Sequence, residues 1–212
     1  IGGAHESNIT NRFLIDDIRV YVEEITEYSE FVPDDYLNPV SGTITYTDGT
    51  PAADVTVSDG FSVVKTDSNG KYSLNPHKDC WYIYYSIPEN CQVPINDFGQ
   101  PCFYTRFDRA VSTYDFTLTK LAAVENKFTL FCLADPQCKD DYYVATNGRN
   151  GDRFKNESVP DIKAHAATMT TPCYGVTLGD IVYSEGNRNN EAFMPTMRDY
   201  MAADKIGMPI FQ

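Results

Sequence analysis

A two-part fold is predicted, a β-sandwich domain followed by a partial α/β domain, and three observations predict it. Between residues 40 and 120, short runs of alternating apolar and polar residues recur, separated by Asp48-Gly49, Asp59-Gly60 and Asn69-Gly70. Those dipeptides take up the positive φ angles of tight β-turns. After Leu121 the hydrophobic period lengthens and helical patterns alternate with apolar runs, as in β-α-β units on a parallel sheet. Two of those runs, residues 128–133 and 174–178, are nearly apolar throughout, as expected of strands buried on both faces. Each leads into an acidic residue, Asp135 and Asp180.

Residues 1–39 form an acidic lead-in whose one strong strand signal is residues 13–22, where Ile18, Val20 and Val22 alternate. A lone strand cannot fold by itself, so it is expected to pair with a later segment or to end a sandwich lying upstream. Its run Ile15-Asp16-Asp17-Ile18-Arg19-Val20 resembles the closing strand of jelly-roll, carbohydrate-module-like sandwiches. Residues 23–35, with Pro33 inside, are expected to be a linker.

In residues 40–120, strands are expected at 42–46, 54–57, 62–66, 71–74, 81–87 and 114–118. The fifth is densely aromatic, with Trp81, Tyr82, Tyr84 and Tyr85, which could form a sugar-stacking face; alternate positions must face the core, however, and core packing is the default for them. Asp67-Ser68-Asn69-Gly70 opens like a calcium loop, but Lys71, Tyr72 and Leu74 stand where further ligands would be needed. A hairpin turn is expected there.

In residues 121–212, strands are expected at 127–134, at 174–179 and from Met208 onward. Ser158-Val159-Pro160-Asp161 is expected to cap a helix with Ile162, Ala166 and Met169 on one face, and Asn189-Asn190 to open a second with Phe193, Met197, Tyr200 and Met201 inward. The order is β-α-β-α-β with right-handed crossovers.

Length allows one large domain or two small ones, and 15 Tyr and 12 Phe supply material for cores. No stretch approaches the roughly 18 apolar residues of a membrane span. The net charge of -13 argues against nucleic acid, which demands clustered Lys and Arg. Residues 1–120 carry 18 acids against 8 bases and residues 121–212 carry 12 against 9, so a phosphorylated substrate would meet the less repulsive half. The acidic surface suits solubility of an exported protein, periplasmic, extracellular or at the cell surface. Because the chain opens on Ile1-Gly2-Gly3, an export signal is expected to have been removed or to lie upstream. Cys80, Cys91 and Cys102 stand in a Pro- and Asn-rich stretch that a disulfide would staple in an oxidising compartment, and Cys132 is expected to be a small core residue.

Two resemblances add to this. The order Gly42-x-Ile44, Asp48-Gly49-x-Pro51, Val55-x-Val57, Thr66-Asp67-x-x-Gly70-x-Tyr72-x-Leu74 resembles the prealbumin-like, carboxypeptidase-regulatory-type sandwich, which implies a seven-stranded module. Further on, Ala134-Asp135-Pro136-Gln137 and Leu178-Gly179-Asp180-Ile181-Val182 resemble the first two motifs, Asp-x-His and Gly-Asp, of the calcineurin-like metallophosphoesterases. Gln137 stands where that family usually has His, an exchange seen in branches carrying Asp-Pro-Gln. An N-terminal sandwich is a known arrangement in secreted bacterial members. The resemblance implies two divalent metal ions, manganese, magnesium, iron or zinc, with Asp135 and Gln137 on one and Asp180 bridging, and a phosphoester substrate. Gly179 is expected to let the backbone approach the bridging position.

The chemistry fits the residue types. Ligands of parallel sheets gather beyond the carboxyl ends of the strands. Two cations about 3.5 to 4 Å apart need a shared carboxylate, and a hydroxide held between them attacks phosphorus in line. An amide oxygen is a harder, weaker ligand than imidazole, which tilts Gln137 toward manganese or magnesium over zinc. The family's third motif, Gly-Asn-His-Asp, and later histidines would lie beyond the third strand. His5, His77 and His165 do not replace them, so this chain is expected to be the front half of the catalytic domain, to bind metal weakly and to be inactive. Asp140, Asp141 and loop 147–153, with Arg149 and Arg153, are expected to be solvated loop charge near the site. Self-association through an uncovered sheet edge is expected. The alternative is a non-catalytic sandwich that binds a glycan or a protein partner.

Overall fold

The computed structural model describes residues 35–138, 150–182 and 193–212. His5, the strand at 13–22, linker residues 23–34, Asp140, Asp141, residues 147–149 and the Asn189-Asn190 helix start lie outside them. Residues 34–212 form one compact unit.

The first seven strands are β1 (Val40–Tyr46), β2 (Thr56–Ser58), β3 (Val63–Lys65), β4 (Lys71–Leu74), β5 (Tyr82–Tyr85), β6 (Tyr104–Arg106) and β7 (Phe116–Leu118). They make two sheets, ordered β4-β1-β7 and β3-β2-β5-β6. β1 runs antiparallel to β4 and parallel to β7, and the four-stranded sheet is antiparallel throughout. The two sheets share one core, Ile44, Tyr72, Leu74 and Leu118 from the first meeting Val57, Ile83 and Tyr85 from the second. β2 starts two residues later than expected because Asp54 takes φ 61°, which no strand residue does. β6 was not expected; all three of its residues are exposed, so no inward alternation marks it.

Two expectations for this part are corrected. Asp67 to Gly70 does form a turn, with Asp67 Oδ1 accepting from Asn69 N at 2.8 Å and Lys71 N at 2.9 Å. It carries the chain from one sheet to the other, however, and is not a hairpin between paired strands. Of the four aromatics in and before β5, only Tyr85 is a core residue; Trp81 is 69% exposed and Tyr82 43%.

Asp48 ties the β1 turn to the far end of β7. Its Oδ1 accepts from Thr50 N at 2.9 Å and Thr50 Oγ1 at 2.5 Å, and its Oδ2 pairs with Lys120 Nζ at 3.1 Å. The Thr50 hydroxyl, then the Thr50 amide and Lys120, pull this carboxyl from 3.8 down to about 2. A depressed carboxylate contributes stability that is complete above its unfolded value and is lost as pH falls through its folded one. An Asp48→Asn variant should therefore melt below the natural chain at pH 7, and the difference should shrink between pH 3.8 and about 2, followed by circular dichroism against pH.

The remaining elements are β8 (Thr129–Leu133), α1 (Asn150–Arg153), a π-helical turn at Phe154–Ser158, α2 (Val159–Ala166), β9 (Cys173–Thr177), α3 (Met194–Tyr200), α4 (Ala203–Ile206) and β10 (Ile210–Phe211). β9 is central, pairing parallel with β8 and β10. Helix and strand side chains share a second core that includes Leu133, Phe154, Val159, Met197, Met201, Ile206 and Ile210.

Three differences from expectation have physical causes. Ser158 is no N-cap: it is helical, with no side-chain cap bond, and α2 continues from α1 through the π turn. Pro160 has no N–H to give the carbonyl four residues back and its ring crowds that position; Val159 N instead reaches Phe154 O, five residues back. α2 stops at Ala166, leaving Met169 outside the helix. β8 is not buried on both faces: Phe128 is 60% and Leu130 51% exposed, and Cys132 is an exposed thiol, not a core residue. In β8 the side bearing Phe131 and Leu133 meets the second core, while Leu130 and Cys132 on the other are exposed.

The all-β part packs directly on α3 and α4. Ala203 N donates to Gly99 O at 2.8 Å, and Gln100 Nε2 donates to Arg198 O at 3.0 Å. A Cβ on Gly99 would lie 2.7 Å from that of Ala202, so glycine is required for this approach. None of the six cysteines is disulfide-bonded.

Candidate metal centre at the strand ends

Asp135 and Asp180 stand at the same end of adjacent parallel strands. The register pairs Leu133 with Thr177, so Asp135 lies two residues beyond its strand and Asp180 three beyond its own. The two exits then hydrogen-bond to each other: Leu178 N donates to Leu133 O at 3.0 Å, Gln137 N to Asp180 O at 2.8 Å and Cys138 N to Ile181 O at 3.1 Å. A parallel bridge between Cys138 and Val182 closes the pair. Gln137 Nε2 donates to Asp180 Oδ2 at 3.4 Å, which brings these two side chains together.

The backbone here is unusual. Asp135 has φ 53°, Gln137 φ 40° and Asp180 φ 43°; among the described residues the only other non-glycine with positive φ is Asp54. Asp tolerates the left-handed region, but Gln does so rarely. Each such residue costs on the order of 1 kcal/mol and persists where surrounding structure over-determines it, which is common at ligand sites. Gly179 has φ 98°, and a Cβ there would meet no atom within 4 Å. Glycine is favoured there by its conformation, and the space beside it is open.

Beside the first exit lies a cavity of about 480 Å³, bounded by Leu133, Ala134, Pro136 and Cys138 on one side and Arg153, Phe154 and Glu157 on the other. The π turn thus forms one wall of it. Arg153 bonds Glu157 through Nε and a terminal nitrogen, both at 3.1 Å. Burial pushes the Cys138 thiol up to about 11, so it is not a thiolate ligand at neutral pH. His165 is exposed on α2 and His77 sits behind Phe61 in the all-β part, so neither joins the strand-end group.

The donors present are all oxygens, two carboxylates and the amide of Gln137 once its oxygen and nitrogen are exchanged. They suit a hard divalent cation. Among the described residues no group of three or more His, Cys, Asp or Glu comes together.

Asp135, Gln137 and Asp180 thus stand at the carboxyl ends of two adjacent parallel strands. Residues 38–121, less than half of the chain, match the family model for the N-terminal region of calcineurin-like phosphoesterases. The match supports that family, whose members are phosphoester hydrolases, and it lies in the all-β part, ahead of Asp135, Gln137 and Asp180. No curated protein matches the chain. Among the described residues no helix is long and apolar enough to cross a membrane.

Proposed function

We propose that this chain supplies ligands of an exported, metal-dependent phosphoesterase of the calcineurin-like kind, which acts on a phosphomonoester or phosphodiester and carries a prealbumin-like sandwich ahead of its α/β domain. The observation that carries the proposal is that the three residues singled out as ligands are three of the four non-glycine residues held at positive φ among those described. Asp135 and Gln137 come from the exit of β8 and Asp180 from that of β9, and the two exits bond to one another. The domain match to the N-terminal region of phosphoesterases is an independent support.

In this reading Asp135 and Gln137 would hold one cation and Asp180 would be the carboxylate shared with a second; the metals, when bound, would supply a hydroxide and polarise the phosphoryl oxygen. The chain's own residues orient the carboxylates, through the strand pairing and the left-handed turns. Arg153, at the cavity wall, stands where a phosphate would gain a charge-assisted hydrogen bond. The exposed Phe128 and Leu130 support self-association of this chain through the β8 side.

Three oxygen donors should bind manganese or magnesium weakly and zinc no better, and should not sustain turnover. Calorimetric titration of the 212-residue chain with Mn²⁺ and Zn²⁺, paired with an assay on an aryl phosphodiester, tests this. Weak binding without zinc preference and no hydrolysis are expected; clear zinc preference or metal-dependent turnover would overturn the donor assignment.

A further inference from the structure

A groove on the outward face of the β3-β2-β5-β6 sheet takes no part in the strand-end site. Six rings line it, Phe61, Trp81, Tyr82, Tyr84, Phe103 and Tyr104, and its volume is about 760 Å³, that of a small-molecule site. The rings hold one another in place. Phe61 stacks on the His77 imidazole with centroids 4.0 Å apart, Tyr82 meets Tyr104 edge-on at 5.2 Å, and Phe103 meets Tyr104 edge-on at 5.8 Å. Clustered aromatic surface left in water marks a binding face more often than a structural one.

The charge of the groove is one-sided. Asp59 and Asp79 line it and no Lys or Arg does, the nearest partner of Asp79 being the His77 imidazole, whose Nδ1 is 3.7 Å from Oδ2. Arg106 is across from Tyr82 in the β5–β6 register but lies outside the lining. Asp59 is only 4% exposed. Its Oδ1 accepts from Phe61 N at 3.0 Å and Ser62 N at 2.6 Å, and its Oδ2 from His77 N at 2.6 Å. Three amides satisfy its hydrogen bonding but do not cancel its charge, and no cationic side chain among the described residues pairs with it. Buried carboxylates are ordinarily paired. Its field reaches the neighbouring thiol: burial first, then Asp59, push Cys80 up to about 11.

These features select a ligand. A saccharide also packs on ring faces and would find the hydroxyls of Tyr82, Tyr84 and Tyr104, but a neutral sugar would bring no countercharge to the two carboxylates. A methylated ammonium makes no strong hydrogen bonds, is drawn to the faces of aromatic rings, and would supply the missing positive charge. We infer that this groove binds a small organic cation bearing a methylated ammonium group, through ring faces with Asp59 and Asp79 as countercharge.

Trp81 is the single tryptophan of the chain and lines the groove, so its fluorescence reports occupancy. Choline should give a saturable change, and 3,3-dimethylbutanol, its uncharged carbon isostere, should bind about tenfold more weakly or less well still. Titration with free choline and co-sedimentation with phosphatidylcholine vesicles distinguish a soluble source of the cation from a bilayer one; either binding supports the site. Asp59 also holds a turn, so Asp59→Asn risks misfolding. Tyr104→Leu and Asp79→Asn at exposed positions should weaken choline several-fold, measured by calorimetry, with melting unchanged. Equal affinity for the uncharged isostere, saturable binding of an oligosaccharide but not of choline, or no saturation by choline at tens of millimolar would overturn the inference.

Discussion

Gly42→Ala is expected to unfold the all-β part at temperatures where the natural chain is folded. Gly42 lies in β1, opposite Tyr72 of β4. A Cβ there would sit 1.9 Å from the Tyr114 carbonyl oxygen and 2.6 Å from the ring and hydroxyl of Tyr72. The first atom belongs to the backbone, so no rotamer change relieves the clash and the β7 approach must open. That movement breaks the 2.6 Å bond from the Tyr72 hydroxyl to Tyr114 O and leaves a buried carbonyl without its partner. Overpacking of this kind costs about 3 kcal/mol, and the lost bond adds on the order of 1 kcal/mol. Against a total stability of roughly 5 to 15 kcal/mol, this should lower the melting temperature by about 15 °C or more. Ser41→Ala, at the exposed neighbouring position, should stay within about 0.5 kcal/mol of the natural chain. Thermal melts of both variants decide it; a Gly42→Ala melt within a few degrees of the natural one would mean that β1 and β7 do not approach as described.

The second large effect is on metal binding, and it separates function from stability. Asp180→Asn keeps a residue that tolerates φ 43° and removes the charge, so Mn²⁺ affinity should fall about tenfold or more with little change in melting. Asp135→Gly should likewise change stability little, because glycine takes φ 53° without strain but gains freedom in the unfolded chain that offsets the relief, while Mn²⁺ affinity again drops. Asp135→Gly that binds Mn²⁺ as well as the natural chain would count against the site.

Some of this was legible in the residues and some was not, for reasons particular to each element. β4 could be read to the residue because Tyr72 and Leu74 alternate with exposed Lys71 and Ser73 and an Asp-x-x-Gly turn fixes its start. The strand-end placement of Asp135 and Asp180 was legible because each follows an apolar run, and such a run must end where the sheet does. β6 was hidden because it turns no side chain inward. The open side of β8 was hidden for a different reason: an apolar run says that burial is available, and which neighbours cover the strand is a matter of tertiary arrangement. The left-handed turn at Gln137 could not be foreseen, since Gln has no preference for that region. The aromatic groove was legible in part, since Trp81, Tyr82 and Tyr84 stand out as a stacking face, but its other walls come from the β2–β3 turn and β6 and are brought together only by the sheet.

Diffraction from a crystal of the chain soaked in Mn²⁺, with anomalous scattering at the manganese edge, is the most direct measurement of the central claim. The account predicts a manganese peak bounded by the carboxylates of Asp135 and Asp180 and the side-chain oxygen of Gln137, at the carboxyl ends of β8 and β9. A peak elsewhere, or those two carboxylates directed to opposite sides of the sheet, would contradict it.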